Sequence, residues 1–204
     1  MKLFIVGATG RTGRLVIEQA ISRGHTITAI VRRPGMLHAH ERLQIVVGDP
    51  LRCSILAPAL VGHDAVISCI GQRAQQDANL LTRAATSILK AMSESQVRRC
   101  LVVSQGLLFP SWNPIVMFLR LALKRNVADS AAMEHVICAS KTDWTIVRPP
   151  RLLEGCGIPR GYRVDRLPFQ GSSWAMQRAD VAAFLLDEVE KAGHVREIVG
   201  LTSA

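Results

Sequence analysis

Leu3-Phe4-Ile5-Val6-Gly7-Ala8-Thr9-Gly10-Arg11-Thr12-Gly13 is the stretch on which the reading of the whole chain turns. Its first four residues are an uninterrupted apolar run, the pattern of a central parallel strand buried on both faces. Apolar periodicity then predicts a helix from about Arg14 to Ser22, stopped at Gly24. Between the two lies G-x-x-G-x-x-G, and each glycine has its own reason to be there. Gly7 permits the tight turn out of the strand, Gly10 lets the backbone approach phosphates closely, and Gly13 lets helix and strand pack together. Amide N–H groups at the helix N-terminus would then face negative charge. A plain glycine-rich turn is the alternative; the strand-to-helix placement argues against it.

Outward from this loop, short β-branched runs alternate with longer helical patterns. Strands are predicted at Thr26–Val31, Gln44–Val47, Asp64–Cys69, Arg99–Val103 and Trp144–Val147, the last stopped by Pro149-Pro150. Helices are predicted at Ser54–Leu60, Asn79–Ser93, Ile115–Lys124 and Ala128–Ser140. Such alternation implies right-handed crossovers and a parallel sheet with helices on both faces. The expected fold is therefore α/β: a three-layer, Rossmann-type doubly wound parallel sheet of strand order 3-2-1-4-5-6. The last third is less regular. Gly155–Ser173, rich in Gly, Pro and Arg, reads as a substrate-side loop with short strands, followed by a helix at Ala179–Ala192 and an edge strand at Arg196–Leu201. With no linker in sight, residues 1–204 read as one domain with a small C-terminal elaboration, its irregular part at about 151–175.

Composition narrows the partners. A net charge of +9 invites a nucleic-acid reading, but the basic residues fall in scattered pairs (Arg32-Arg33, Arg98-Arg99, Lys124-Arg125) and aromatics make up only 4% of the chain. A stacking platform is not expected, and neither is a nucleic-acid partner. Five widely spaced cysteines with no CxxC pair suit a reducing compartment rather than disulfides or zinc. The apolar run after Met1-Lys2 is too short for a signal peptide, and Pro114–Leu123 is broken by Arg120 and too short to span a bilayer. A cytoplasmic protein without membrane association, monomeric or homodimeric, is the expectation.

The end of the second predicted strand selects the dinucleotide. An acidic residue there would hold a ribose 2′-OH, whereas an arginine accommodates a 2′-phosphate. The chain offers Ala29-Ile30-Val31-Arg32-Arg33, about 20 residues beyond the loop, with no acid. Arg32 therefore points to NADP(H), and Arg11 could add a second cation. After the third strand, the Asp49 carboxylate can accept from an adenine amino group, cap the helix that begins near Leu51, or do both. Gly71, after the fourth strand, leaves room for ribose and phosphates.

The run VGATGRTG at Val6–Gly13, Arg32, VVGD at Val46–Asp49, DAVIS at Asp64–Ser68, VVS at Val102–Ser104 and WTIVRPP at Trp144–Pro150 resemble the atypical short-chain dehydrogenase/reductases. They are most similar to the NAD(P)H-binding branch that includes biliverdin-IX-beta (flavin) reductase and nitrogen-metabolite-repression regulators, over about Lys2–Leu201. The resemblance implies cofactor roles for Gly7, Thr9, Gly10, Arg11, Thr12, Arg32, Asp49, Gly71 and Pro149. It also implies a catalytic position for Ser104, whose hydroxyl would hydrogen-bond the nicotinamide carboxamide or a substrate carbonyl. Two departures matter. The Tyr-x-x-x-Lys acid of that superfamily is missing, because the only tyrosine is Tyr162, in the late irregular segment, with Arg166 four residues on. A histidine often follows the double proline in the flavin-reductase branch, and here Arg151 stands instead.

Other candidates read more plainly. His38-x-His40 has no third metal ligand at a sensible spacing. Ser104 lacks the G-x-S-x-G setting of a hydrolase elbow. Glu134 and His135, on a predicted helix, read first as surface residues and second as proton donors. Met117, Phe118, Leu121 and Leu123 read as core, dimer face or pocket lining. Arg148, Arg151 and Arg160 could draw an anionic substrate. The expected function is an NADPH-dependent reductase passing hydride to a small conjugated acceptor such as a flavin or quinone, for which solvent can supply the proton. The alternative is an NADP(H)-binding redox sensor or regulator that does not turn its cofactor over.

Overall fold

The computed structural model describes residues 1–71, 79–165 and 175–204. Lys2–Val6 forms β1, and its continuous apolar run serves two cores because successive side chains leave a strand on opposite faces. Leu3 and Ile5 join one cluster of buried residues, while Phe4 and Val6 join the other. The same division runs along β2 (Thr26–Val31), where Ile27, Ala29 and Val31 face one layer and Ile30 the other. One layer is made by α1 (Arg11–Ser22) and α6 (Arg178–Lys191); the other by α2 (Cys53–Leu60), α3 (Leu80–Ser95) and α5 (Lys124–Cys138).

The remaining main-sheet strands are β3 (Leu43–Val47), β4 (Ala65–Ser68), β5 (Arg99–Val103), β6 (Asp143–Arg148), β8 (Tyr162–Asp165) and β10 (Glu197–Ser203). They assemble in the order β3-β2-β1-β4-β5-β6-β10-β8. Every pairing is parallel except that of β10 with β8. This is the Rossmann-type α/β fold expected from the alternation, with the predicted 3-2-1-4-5-6 order at its centre. Two short strands, β7 (Arg151–Leu153) and β9 (Ala175–Gln177), pair beside it, and α4 (Pro114–Ala122) precedes α5.

Several expectations shift, among them the start of α5, at Lys124 rather than Ala128. The first helix begins at Arg11, three residues earlier than its apolar periodicity suggests, because Gly10 is already its N-cap and Gly10 O accepts from Arg14 N at 3.0 Å. The last strand is not an edge: β8 covers it, so its hydrophobic Val199 and Leu201 are fully buried. Tyr162 lies in that covering strand rather than in a loop.

Candidate functional site

All the strand ends that the sequence singled out emerge at one place, the carboxyl edge of the parallel strands. The strand order places the ends of β3, β2, β1, β4, β5 and β6 side by side there, with the change of direction between β1 and β4, where open α/β sheets form their binding crevice.

At the centre stands the glycine loop. Gly7 has φ +78°, a left-handed conformation, and a Cβ on it would lie 2.6 Å from the carbonyl carbon of Cys69 at the end of β4. A Cβ on Gly13 would lie 2.3 Å from Gly7 O, so only glycine lets α1 start this close to the strand. Gly7 O also accepts from Gly10 N at 3.0 Å, which closes the turn. The N-terminus of α1 has no side-chain cap and no acidic residue in its first turn. An uncapped, acid-free helix start with a glycine cradle fits a pyrophosphate, since the first N–H groups of a helix have no partner inside it.

Around the loop, Arg32 and Arg33 are exposed after β2, and neither forms an ion pair among the described residues. Arg14, which the sequence did not mark as a site residue, links the two loops: its guanidinium donates to Thr9 O at 3.3 Å and to Met36 O at 2.8 Å. Arg11 turns the other way, pairing with Glu154 at 2.5 Å between two exposed side chains. Such a pair is worth about 0–1 kcal/mol and exchanges readily for another anion. Gly48 N donates to Val31 O at 2.8 Å, and Asp49 Oδ1 accepts from Leu51 N at 3.0 Å, a turn within the loop. The helix after it starts only at Cys53, with Arg52 as N-cap and no side-chain cap, so Asp49 does not make the expected helix cap. Among the described residues nothing lies within 4 Å of a Cβ built on Gly71.

At the other end of the edge, Ser104 closes β5. Its N–H donates to Val147 O and that of Gly106 to Pro149 O, both at 2.8 Å, so the ends of β5 and β6 are zipped together. The Ser104 hydroxyl donates to Glu134 Oε1 at 2.5 Å. Glu134, expected on the surface of its helix, is buried and takes two further bonds from Arg148: Nε to Oε1 at 3.0 Å and Nη2 to Oε2 at 2.5 Å. The Arg148 guanidinium in turn lies 4.9 Å from the centroid of the Phe109 ring, the range of a cation–π contact. Arg148 is thus a structural partner of Glu134 and is not open to an anionic substrate. His135, one residue on, is exposed.

The α5 face that carries Glu134 supplies two more polar contacts that sequence reasoning missed. Asp129 accepts from Leu81 N (2.9 Å), Thr82 N (3.1 Å) and Thr82 Oγ1 (2.7 Å), capping α3 from a neighbouring helix. Ser130 Oγ meets Gln105 Nε2 at 2.6 Å and pins the residue after Ser104. A usable signal exists: Ser130, Met133, Glu134 and Ile137 recur at helical spacing, so the two polar residues share the buried stripe of their apolar neighbours.

Tyr162 is far from all of this. Its hydroxyl donates to Asp187 at 2.6 Å, and Asp187 also binds Arg23, the C-cap of α1. The glycine loop lies at the other end of that 12-residue helix, roughly 18 Å away at 1.5 Å per residue. Burial, then the bond to Asp187, push the phenol well above its ordinary value, the reverse of what a tyrosine acid needs. Burial likewise pushes the Cys69 and Cys100 thiols up to about 12, so they behave as inert hydrophobes. No cluster of three metal-ligating side chains exists among the described residues, His38 and His40 included.

A sequence model of the NAD(P)H-binding family matches residues 7–192. The chain belongs to the NAD(P)H-binding family. The expected kinship with the atypical, flavin-reductase-like short-chain dehydrogenase/reductases is supported. An uncharacterised chloroplastic protein of Arabidopsis thaliana is 31% identical over 222 residues, 100% of this chain and 78% of that one. The photosystem II assembly factor Ycf39 of Synechocystis is 38% identical over only 76 residues, 36% of this chain and 23% of its own length. Among solved structures, a candidate NADH-flavin reductase from Streptococcus pneumoniae superposes with a TM-score of 0.80 at 25% identity, covering 100% of both chains. A short-chain dehydrogenase/reductase from Veillonella parvula in complex with NADP gives 0.79 at 21% identity, over 99% of this chain and 94% of that one, a likeness of fold. No helix among the described residues is long and apolar enough to cross a membrane.

Proposed function

We propose that the protein is an NADPH-dependent reductase that passes hydride to a small conjugated acceptor, such as a flavin or a quinone. The observation that carries this reading is the reducing end of the site. Its polar group, Ser104, already donates its proton to Glu134, and the chain's one tyrosine is tied to Asp187 at the opposite end of α1. Among the described residues no side chain there is set up as an acid, which suits acceptors whose proton comes from solvent. When bound, the dinucleotide supplies the hydride.

The residues of this chain bind and orient. Gly7, Gly10 and Gly13 shape the pyrophosphate cradle, and the first-turn amides of α1, with Thr9 and Thr12 beside them, face its charge. Arg32, with Arg33 and the bridging Arg14, favours a 2′-phosphate, so NADPH is preferred over NADH. Asp49 keeps Oδ2 for an adenine amino group while Oδ1 holds Leu51 N. Gly71 and Pro149 border the crevice on either side of Ser104. With its own proton on Glu134, Ser104 Oγ presents lone pairs and accepts from the carboxamide NH₂ of the nicotinamide. It does not polarise a substrate carbonyl, which would need a donor.

NADPH oxidation measured against a panel of flavins and quinones tests the reaction, with NADH as the comparison. Turnover with at least one acceptor and a preference for NADPH are expected. Tight NADPH binding with no turnover on any of them would sink the reductase and favour a redox sensor. Equal affinity for the two dinucleotides in a fluorescence titration would sink the cofactor assignment. A Ser104→Ala variant with full activity would remove Ser104 from the site.

A further inference from the structure

Helix α4 is apolar on every side, yet the protein barely touches it. Asn113 caps it by accepting from Ile115 N at 2.9 Å, and Pro114 opens its first turn, so it is a well-formed helix. Val116 alone is buried. One turn later Arg120 reaches back to the turn that follows Ser104, donating from Nε to Leu107 O at 2.7 Å and from Nη2 to Phe109 O. That single i, i+4 stripe attaches the helix to the body. Ile115 (65% exposed), Phe118 (68%) and Leu121 (70%) face away, with Met117 and Leu123 also open and Trp112 just before the helix 94% exposed. These residues are not core, one of the places expected for Met117, Phe118, Leu121 and Leu123. A helix hydrophobic all round is normally buried, so this one is missing its cover.

Charge says what covers it. From Cys100 to Ala128 the chain holds no Asp or Glu, while exposed Lys124 and Arg125 follow the helix directly and form no ion pair among the described residues. A symmetric dimer through this face would set the patch against itself, bringing those cations together with no carboxylate on the segment to meet them. An anionic lipid surface supplies what both features lack. Apolar side chains enter the acyl boundary, tryptophan sits at the headgroup level, and the flanking cations meet lipid phosphates and carboxylates. At nine residues, roughly 14 Å, the helix lies in such a surface and cannot cross it.

We infer that α4, with Trp112, Lys124 and Arg125, docks the protein reversibly on an anionic membrane surface. This revises the expectation of no membrane association, which rested on the lack of a spanning length. Docking of this kind is independent of the hydride chemistry.

Flotation of the full chain with phosphatidylcholine vesicles, with and without phosphatidylserine, is the test. Binding to the phosphatidylserine vesicles is expected, with a blue shift in tryptophan emission and weakening by salt. Replacing both cations (K124Q/R125Q) should weaken it about 30-fold, the effect of two juxtamembrane charges. F118S/L121S should abolish it while leaving NADPH binding intact, which shows that the variant still folds. The inference is overturned if the wild type floats with neither vesicle, or if F118S/L121S floats like the wild type. It is equally overturned if sedimentation without lipid shows a dimer that F118S/L121S dissociates, since the face then belongs to a second copy.

Discussion

The glycine loop and the Ser104 cluster stand on the same edge of one sheet, yet they are built in opposite ways. Seven consecutive residues, Gly7 to Gly13, make the first, and its working parts are backbone: amides, a left-handed φ, and the absence of Cβ atoms. The second draws Ser104 from β5, Glu134 from α5 and Arg148 from β6, and its working parts are side chains that meet only because the sheet and helix bring them together. A local site of this kind depends on sterics, where one methyl decides. A long-range site depends on mutual satisfaction, where the loss of one partner strands the others.

Mutations can break or sharpen that contrast. The largest effect is expected in the Ser104 cluster. Glu134→Ala leaves the Arg148 guanidinium, only 15% exposed, without its carboxylate, and breaking a buried pair from one side costs about 3–5 kcal/mol. Chemical denaturation should show it, and a loss below about 1 kcal/mol, the scale of an exposed pair, would mean that the cluster holds little together. In the loop, Gly13→Ala should act against helix propensity. Alanine ordinarily gains about 1 kcal/mol over glycine inside a helix, but here its methyl meets Gly7 O. A net loss of about 1–3 kcal/mol and loss of NADPH binding are expected, and a stabilised variant that still binds NADPH would refute the steric account.

Smaller effects separate binding from folding. Arg32→Ala should raise the Kd for NADPH about tenfold, the scale of a hydrogen bond to a charged group, and leave NADH and thermal stability alone. The smallest effect belongs to the far end of α1. Burial pushes the Asp187 carboxyl up, but the Tyr162 hydroxyl and the Arg23 guanidinium outweigh it and hold it below its ordinary value. Because the folded form is the more acidic one, this contributes stability above the ordinary carboxylate range, about pH 4, and the contribution is lost as pH falls through the folded value. Tyr162→Phe should therefore cost about 1 kcal/mol at neutral pH and flatten the acid limb of the Tm against pH curve. Hydride-transfer activity should not change. A large activity loss would put Tyr162 back in the chemistry.

The two regions differ in legibility for the same reason that they differ in construction. Gly7 and Gly13 are legible because a left-handed turn out of a strand and a helix start packed against it are local demands that glycine alone meets. Glu134 reads as a surface residue in sequence because a carboxylate on a helix normally is one. Only the arrival of Arg148 and Ser104 makes its burial tolerable. The partner of Arg11, Glu154, comes from a segment 143 residues away, which no local pattern announces. The last strand looked like an edge because nothing after it in sequence could cover it; β8, which precedes it, does so.

By itself, then, the sequence determined the alternation of strands and helices, the order of the central six strands and the glycine turn between β1 and α1. Apolar periodicity and the absence of Cβ atoms act over a few residues and need no partner to be read. Tertiary structure alone decided which polar side chains meet at the reducing end, which strand is covered, and that α4 stands uncovered beside it. Those are questions of what one segment finds opposite it in space, and burial, pairing and exposure have no local code.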